Sequence, residues 1–198
     1  MDYIGRAKEA FSLEAESIIK TGELLTPELI EKAVKLLAEA PRIGTSGCGH
    51  SGIACRHFAH LLCCVERPAR FISPAEAVHG ATGFIQKGDV IVFVSRGGKT
   101  SELIPILDIC KRKGASVITL TENLTSVLAQ GSDVVLPMYI SSETDKYNCQ
   151  GTTSFAVTNA IFDALQAALI DYTDYQNEKF AIVHPGGAVG ERLNKKKS

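Results

Sequence analysis

The sequence predicts an α/β fold built on a parallel sheet with helices on both faces. Three observations carry that reading. Five short apolar runs of strand length recur along the chain: "RIGTS", "ARFIS", "DVIVFVS", "ASVITLT" and "DVVLPM". Segments with helical spacing separate them, and parallel strands need such crossovers. Glycine-rich loops follow the first and third runs, where an open parallel sheet binds its ligands.

The elements follow in order. Residues 3–20 and 26–39 read as helices; Thr26-Pro27 starts the second, with threonine as cap and proline in the first turn, and Pro41 stops it. "RIGTS" then leads into the first glycine loop, 50–64 is helix, and "ARFIS" is strand. "PAEAVHGATG" begins helical and ends in a glycine-marked loop. "DVIVFVS" is a buried strand, 100–113 a helix, "ASVITLT" a strand, 123–130 a short helix and "DVVLPM" a strand. The helix 152–171 is apolar around too much of its circumference for a surface helix, so it is either central or part of a subunit interface. "FAIVHPGGAVGERL" reads as irregular around its glycines. With no internal linker or repeat, the chain reads as one domain: N-terminal helices (1–40), a sheet core with a C-terminal segment (41–193), and a basic tail (194–198) holding Lys195, Lys196 and Lys197.

Composition narrows the function classes. The chain has 198 residues, is 45% hydrophobic and 22% charged, and carries a formal net charge of −1. That is ordinary globular composition, without the basic balance of a nucleic-acid or anionic-membrane binder. No segment reads as a bilayer span, because Asn159, Asp163 and Gln166 interrupt the most apolar helix. "MDYIGRAKEAF" lacks a signal-peptide core, so a cytoplasmic protein is expected. The six cysteines form no C-x-x-C pair and read mostly as reduced, buried thiols. His57, His60 and Cys64 would share a helix region and could suggest a metal; among Phe58, Leu61 and Leu62 they read instead as polar groups within packed helix.

The first loop, "TSGCGHSG" (Thr45–Gly52), contains G-x-G-x-x-G. A dinucleotide site would need an acidic residue at the end of the second strand, which here ends Phe71-Ile72-Ser73; Glu76 lies beyond it. The second loop, "SRGGKTSE" (Ser95–Glu102), also follows a strand and is rich in hydroxyls, but lacks P-loop spacing. Unpaired helix N–H groups favour an anion at such a loop, and Ser51, Ser95 and Thr100 can donate to phosphate oxygens. Two such loops suit a small phosphorylated ligand better than a dinucleotide.

In order, "GCGHSG", "SPAEAVHGATGF", "SRGGKTSE", "GTTS" and "HPGGAVGERL" resemble the sugar isomerase (SIS) domain, most closely its arabinose-5-phosphate isomerases, from about Gly44 to Leu193. The resemblance implies a three-layer sandwich with a five-stranded flavodoxin-like sheet, a homotetramer built as a dimer of dimers, and aldose–ketose isomerisation of a sugar phosphate without an organic cofactor or metal. Those isomerases commonly carry a pair of regulatory CBS domains after this segment; with the sequence ending at Ser198, a stand-alone catalytic domain is expected. The resemblance places phosphate contacts on Ser51, Ser95 and Thr100, active-site acids on Glu102 and Glu143, and active-site histidines on His184 and His79, the histidines reaching a neighbouring subunit's pocket. Two departures stand out: His50 replaces the usual lysine, and the second loop has Gly97 for a serine and Lys99 for an acid. Arg96 and Lys99 add positive charge near the expected phosphate.

Isomerisation needs ring opening, a base to move a proton between C1 and C2, and stabilisation of the enediolate. Glu143 is expected as the base, His184 in ring opening, Glu102 in orienting hydroxyls, and His50 against the substrate oxygens. The plainer alternatives are a first-turn helix acid for Glu102 and a solvated loop charge for Glu143. Arabinose 5-phosphate is the expected substrate; a 6-phospho-3-hexuloisomerase and a non-catalytic sugar-phosphate-binding module are the alternatives.

Overall fold

The computed structural model describes residues 2–195. Lys196 and Lys197, most of the expected basic tail, lie outside them, and Lys195 pairs with Glu191 across one helical turn. The chain opens with α1 (Tyr3–Leu24) and α2 (Pro27–Glu39). Asp2 caps the first by accepting the Gly5 N–H at 2.8 Å, and Thr26 caps the second by accepting the Leu29 N–H at 3.4 Å, as the Thr-Pro signal predicts. There follow β1 (Ile43–Gly47), α3 (Gly49–Cys64), β2 (Ala69–Phe71), α4 (Pro74–Ala77), a 3₁₀ turn (Ala81–Phe84), β3 (Val90–Val94), α5 (Ile104–Lys113), β4 (Ser116–Thr121), α6 (Val127–Gln130), β5 (Val134–Pro137), α7 (Thr153–Tyr172), α8 (Asn177–Val183) and α9 (Gly187–Asn194).

The strands form one parallel sheet in the order β2-β1-β3-β4-β5, with Thr45 of β1 opposite both Phe71 of β2 and Val92 of β3. Every residue of β3 is buried, and its side chains alternate between two cores. Val90, Val92 and Val94 join the core under α2, α3 and α7, and Ile91 and Phe93 join the one under α5 and α6. The result is the three-layer sandwich that the alternating sequence predicts.

α7 resolves the choice posed by its composition: it is central to its layer. Val157, Ile161, Phe162, Leu165 and Leu169 are buried, and α1, α2 and α3 all pack against it. The Phe162 ring stacks on Phe58 of α3, with centroids 4.0 Å apart and planes parallel to within 1°. The expectation that no segment could span a bilayer needs correction. By length and composition alone α7 qualifies, with 20 residues and a mean hydropathy of 1.3. The polar residues within it do not lower its average enough.

Some local readings also change. α5 begins at Ile104 rather than residue 100, because Pro105 has no N–H and fits only a first helical turn. The C-terminal segment is two helices joined at His184-Pro185-Gly186, where a run of glycines had suggested irregular chain; Asn194, assigned to the tail, ends the second. The cysteines are unpaired, but only Cys55 and Cys110 are buried; Cys63 and Cys149 are exposed. Burial pushes the Cys110 thiol up to about 12 and the Cys55 thiol further. His57 and His60 face solvent instead of packed helix, with His60 Nε2 3.7 Å from Cys64 Sγ. Among the described residues no three His, Cys, Asp or Glu side chains converge as metal ligands.

Candidate active site

β1 and β3 are neighbours, but α3 leaves toward one face of the sheet and α5 toward the other. This opens a crevice beyond their carboxyl ends, where ligands bind in such sheets. The two glycine loops form its walls. In the first, a β-carbon on Gly52 would lie 2.6 Å from the Gly47 carbonyl oxygen, so glycine lets the start of α3 close onto the strand end. Ser51, beside it, is half-buried.

In the second loop Ser95 is 4% exposed, and its Oγ lies 2.8 Å from Thr100 Oγ1. A tight turn brings them together: the Gly98 N–H donates to the Ser95 carbonyl at 2.9 Å, and Gly98 has φ +65°. The two hydroxyls expected to hold phosphate are therefore paired at one spot. Lys99 is exposed. Arg96 turns aside, donating from Nη1 to Glu143 Oε1 at 2.8 Å and from Nε to Glu122.

Glu143 is not a solvated loop charge, because it is 3% exposed. Its Oε2 accepts the Ser154 N–H at 3.2 Å and the Thr152 hydroxyl at 3.3 Å, both at the start of α7. A helix N-terminus favours a carboxylate there. The segment after Glu143 is shaped by Asp145, whose carboxylate accepts the N–H groups of Gln150, Cys149 and Tyr147. Those bonds, the Gln150 amide foremost, hold Asp145 below the usual carboxylate range.

Glu102 is exposed at the edge of a cavity of about 380 Å³ that also takes in Cys48, Gly49, Ser73 and Arg56. The Ser101 hydroxyl donates to it at 2.8 Å and, with Glu102's own backbone N–H, holds its carboxyl below the usual range, so it acts as an acceptor at neutral pH. Burial, reinforced by the nearby Glu102 charge, pushes the Cys48 thiol up, which disfavours the thiolate. The Arg56 guanidinium lies over the Phe71 ring, 3.9 Å from its centroid.

His50 lines a different cavity, of about 740 Å³, with His57, Thr152, Phe155 and Glu14. Its ring meets Phe155 edge-on, with centroids 6.2 Å apart. Thr152 connects the two regions, since its hydroxyl bonds Glu143. His79 is exposed just after α4 and lines neither cavity. His184 is further removed. It ends α8, with its ring centroid 5.1 Å from that of Phe180, and Phe180 lines a cavity together with Leu61, Cys64 and Val65 at the far end of α3. At 1.5 Å per residue, that end of α3 lies roughly 20 Å from the glycine loop. One chain therefore pairs Ser95 with Thr100, links their turn to Glu143 through the Arg96 side chain, sets His50 and Glu102 in separate cavities, and leaves His184 elsewhere.

Sequence reasoning missed the supporting residues: Thr152 and Ser154, which hold Glu143, the Asp145 turn, and Glu14 of α1. The only signal was "GTTS" at a helix start, which offers free N–H groups to an acid upstream.

Comparison with known proteins fits this architecture. A Listeria monocytogenes crystal structure matches with a TM-score of 0.90 and 37% identity, over 94% of this chain and all of that one. An Escherichia coli CFT073 protein solved in complex with arabinose 5-phosphate matches with a TM-score of 0.85 and 27% identity, over 93% of this chain and 98% of that one. Arabinose 5-phosphate isomerase KdsD of Pseudomonas aeruginosa is 34% identical over 98% of this chain, and KpsF of E. coli is 38% identical over 75%. The chain spans 59% of the length of the first and 45% of the second. The SIS domain model matches residues 36–168, from the end of α2 through most of α7, and by that match the chain belongs to the SIS domain family.

Proposed function

We propose that the chain is a sugar-phosphate aldose–ketose isomerase that interconverts arabinose 5-phosphate and ribulose 5-phosphate. The observation that carries this reading is the junction of the Ser95–Thr100 hydroxyl turn with a buried carboxylate, Glu143, at the switch point of the sheet. A phosphate held by Ser51, Ser95 and Thr100 fixes one end of the substrate and directs the other toward the acids, so that binding energy remote from the reacting carbons provides orientation. Relatives named arabinose 5-phosphate isomerase, and a structural neighbour solved with that sugar phosphate, support the choice of sugar.

In this reading Glu143 moves the proton between C2 and C1. Glu102, ionised at neutral pH, accepts hydrogen bonds from substrate hydroxyls. His50 meets the substrate oxygens through the cavity it shares with Thr152. His184, with His79, opens the sugar ring in a neighbouring subunit's crevice, which fits its distance from its own chain's loop. The assembly is a homotetramer, a dimer of dimers with its sites at subunit contacts, acting on a small sugar phosphate in the cytoplasm. Exposed apolar side chains on α1 (Ile4, Phe11 and Ile19) and on α8 (Ile182 and Val183) support a covered surface. The helices 1–40, the sheet and the C-terminal segment act as one unit in this assembly.

A non-catalytic sugar-phosphate-binding module is the second reading, favoured by His50 in place of lysine and by the closure of Glu143 under Arg96. Proton NMR with arabinose 5-phosphate in D₂O separates the two. Conversion to ribulose 5-phosphate with deuterium entering C2 is the expected result. Binding without exchange would establish the module instead.

A further inference from the structure

Arg96 lies between two anion sites. Its backbone follows Ser95 in the hydroxyl turn, and its carbonyl is held there by the Glu122 N–H at 3.0 Å and the Thr121 hydroxyl at 2.9 Å. Its side chain leaves the turn and lies against Glu143 and Glu122. Glu143 Oε1 faces this guanidinium, while Oε2 is taken by the start of α7. Arg96 thus covers the one Glu143 oxygen that the start of α7 leaves free. The Arg96 side chain is 36% exposed and can rotate, whereas the Glu143 side chain is 3% exposed and held from two sides.

We propose that Arg96 is a positioning residue that couples occupancy of the phosphate turn to the availability of Glu143. In the structure the guanidinium pairs with Glu143 and covers its free oxygen. A phosphate between Ser95 and Thr100 competes for the same guanidinium, since a planar fork suits phosphate as well as carboxylate. Drawn to the phosphate, Arg96 releases Oε1 to the substrate carbon. The base is then presented only when a phosphorylated ligand is seated, and a phosphate-free sugar meets a masked carboxylate. This rests on the sugar-phosphate reading of the same turn.

The test is a double-mutant cycle read as inorganic phosphate binding by calorimetry, with no turnover required. Glu143→Gln leaves Glu122 as the carboxylate holding Arg96 and is expected to tighten phosphate about fivefold, while Arg96→Gln weakens it about tenfold. In the Arg96→Gln background, Glu143→Gln is expected to change nothing. If Glu143→Gln tightens phosphate equally in both backgrounds, the effect is through-space charge and the coupling is overturned. Unchanged affinity in Arg96→Gln, or no phosphate binding by the wild type, overturns it as well. Arg96→Lys keeps a cation in place should the glutamine variant fold poorly; there the gain from Glu143→Gln is expected to shrink to about twofold, and a full gain overturns the proposal. Wild-type turnover of arabinose 5-phosphate separately tests the isomerase reading, so the two failures are distinguishable.

Discussion

At the scale of single residues, the two departures from the family pattern can be tested directly. Gly97 occupies open space, since a β-carbon there would have no neighbour within 4 Å. Gly97→Ser therefore adds a hydroxyl to the phosphate turn without a clash. One further hydrogen bond is worth about 1 kcal/mol, so KM for the sugar phosphate is expected to fall about fivefold with kcat little changed. Gly98 is the contrasting neighbour: a β-carbon there would lie 1.9 Å from Ser126 Oγ, so Gly98→Ala is expected to break the turn and abolish phosphate binding by calorimetry. His50 is exposed in a wide cavity with room for a longer side chain. His50→Lys supplies a permanent cation toward a developing oxyanion, and kcat on arabinose 5-phosphate is expected to rise about tenfold.

At the scale of elements, the Glu143–Gln150 loop depends on Asp145. Its carboxyl is held low in the folded state, so its stabilising contribution is complete above the ordinary value of 3.8 and is lost as pH falls from there through the lowered folded value. Hydrogen exchange should therefore show the Cys149 and Gln150 amides losing protection below about pH 3.8 while the β3 amides keep theirs. Asp145→Ala should remove that protection at every pH. Legibility also divides by element. Strands β3 and β4 and helices α3, α5 and α7 were readable because each buries a set of apolar side chains. The start of α5 was not, because the rule that places Pro105 in a first turn competes with the earlier capping signal of Thr100-Ser101 followed by Glu102. The Glu143 site was half-readable: motif order marked the acid, but its burial depends on Arg96 and Thr152, 47 residues before it and nine after. No local pattern encodes contacts at such separations. The motif marked His184 as a candidate, but not its distance from the glycine loops, which is set by where α8 docks.

At the scale of the whole molecule, His184 and Glu143 of one chain serve different sites if the proposed assembly is right. Mixing inactive His184→Ala with inactive Glu143→Gln, followed by subunit exchange, is expected to restore up to about a quarter of wild-type activity. Activity staying at zero would place both groups in the same chain's site. The Phe58–Phe162 stack ties α3, which carries the first glycine loop, to α7, which carries the Glu143 anchor. Phe162→Ala should cost about 3–5 kcal/mol in denaturant unfolding. The neighbours of α7 bear on how the chain is made. Its partners α1, α2 and α3 all precede it in sequence. A ribosome delivers residues in order, so the cradle for this most water-averse helix has already been synthesised when the helix emerges. A circular permutant that begins at Thr152 reverses that schedule and exposes α7 before its cradle exists. It should form inclusion bodies during expression yet refold from denaturant to the same structure.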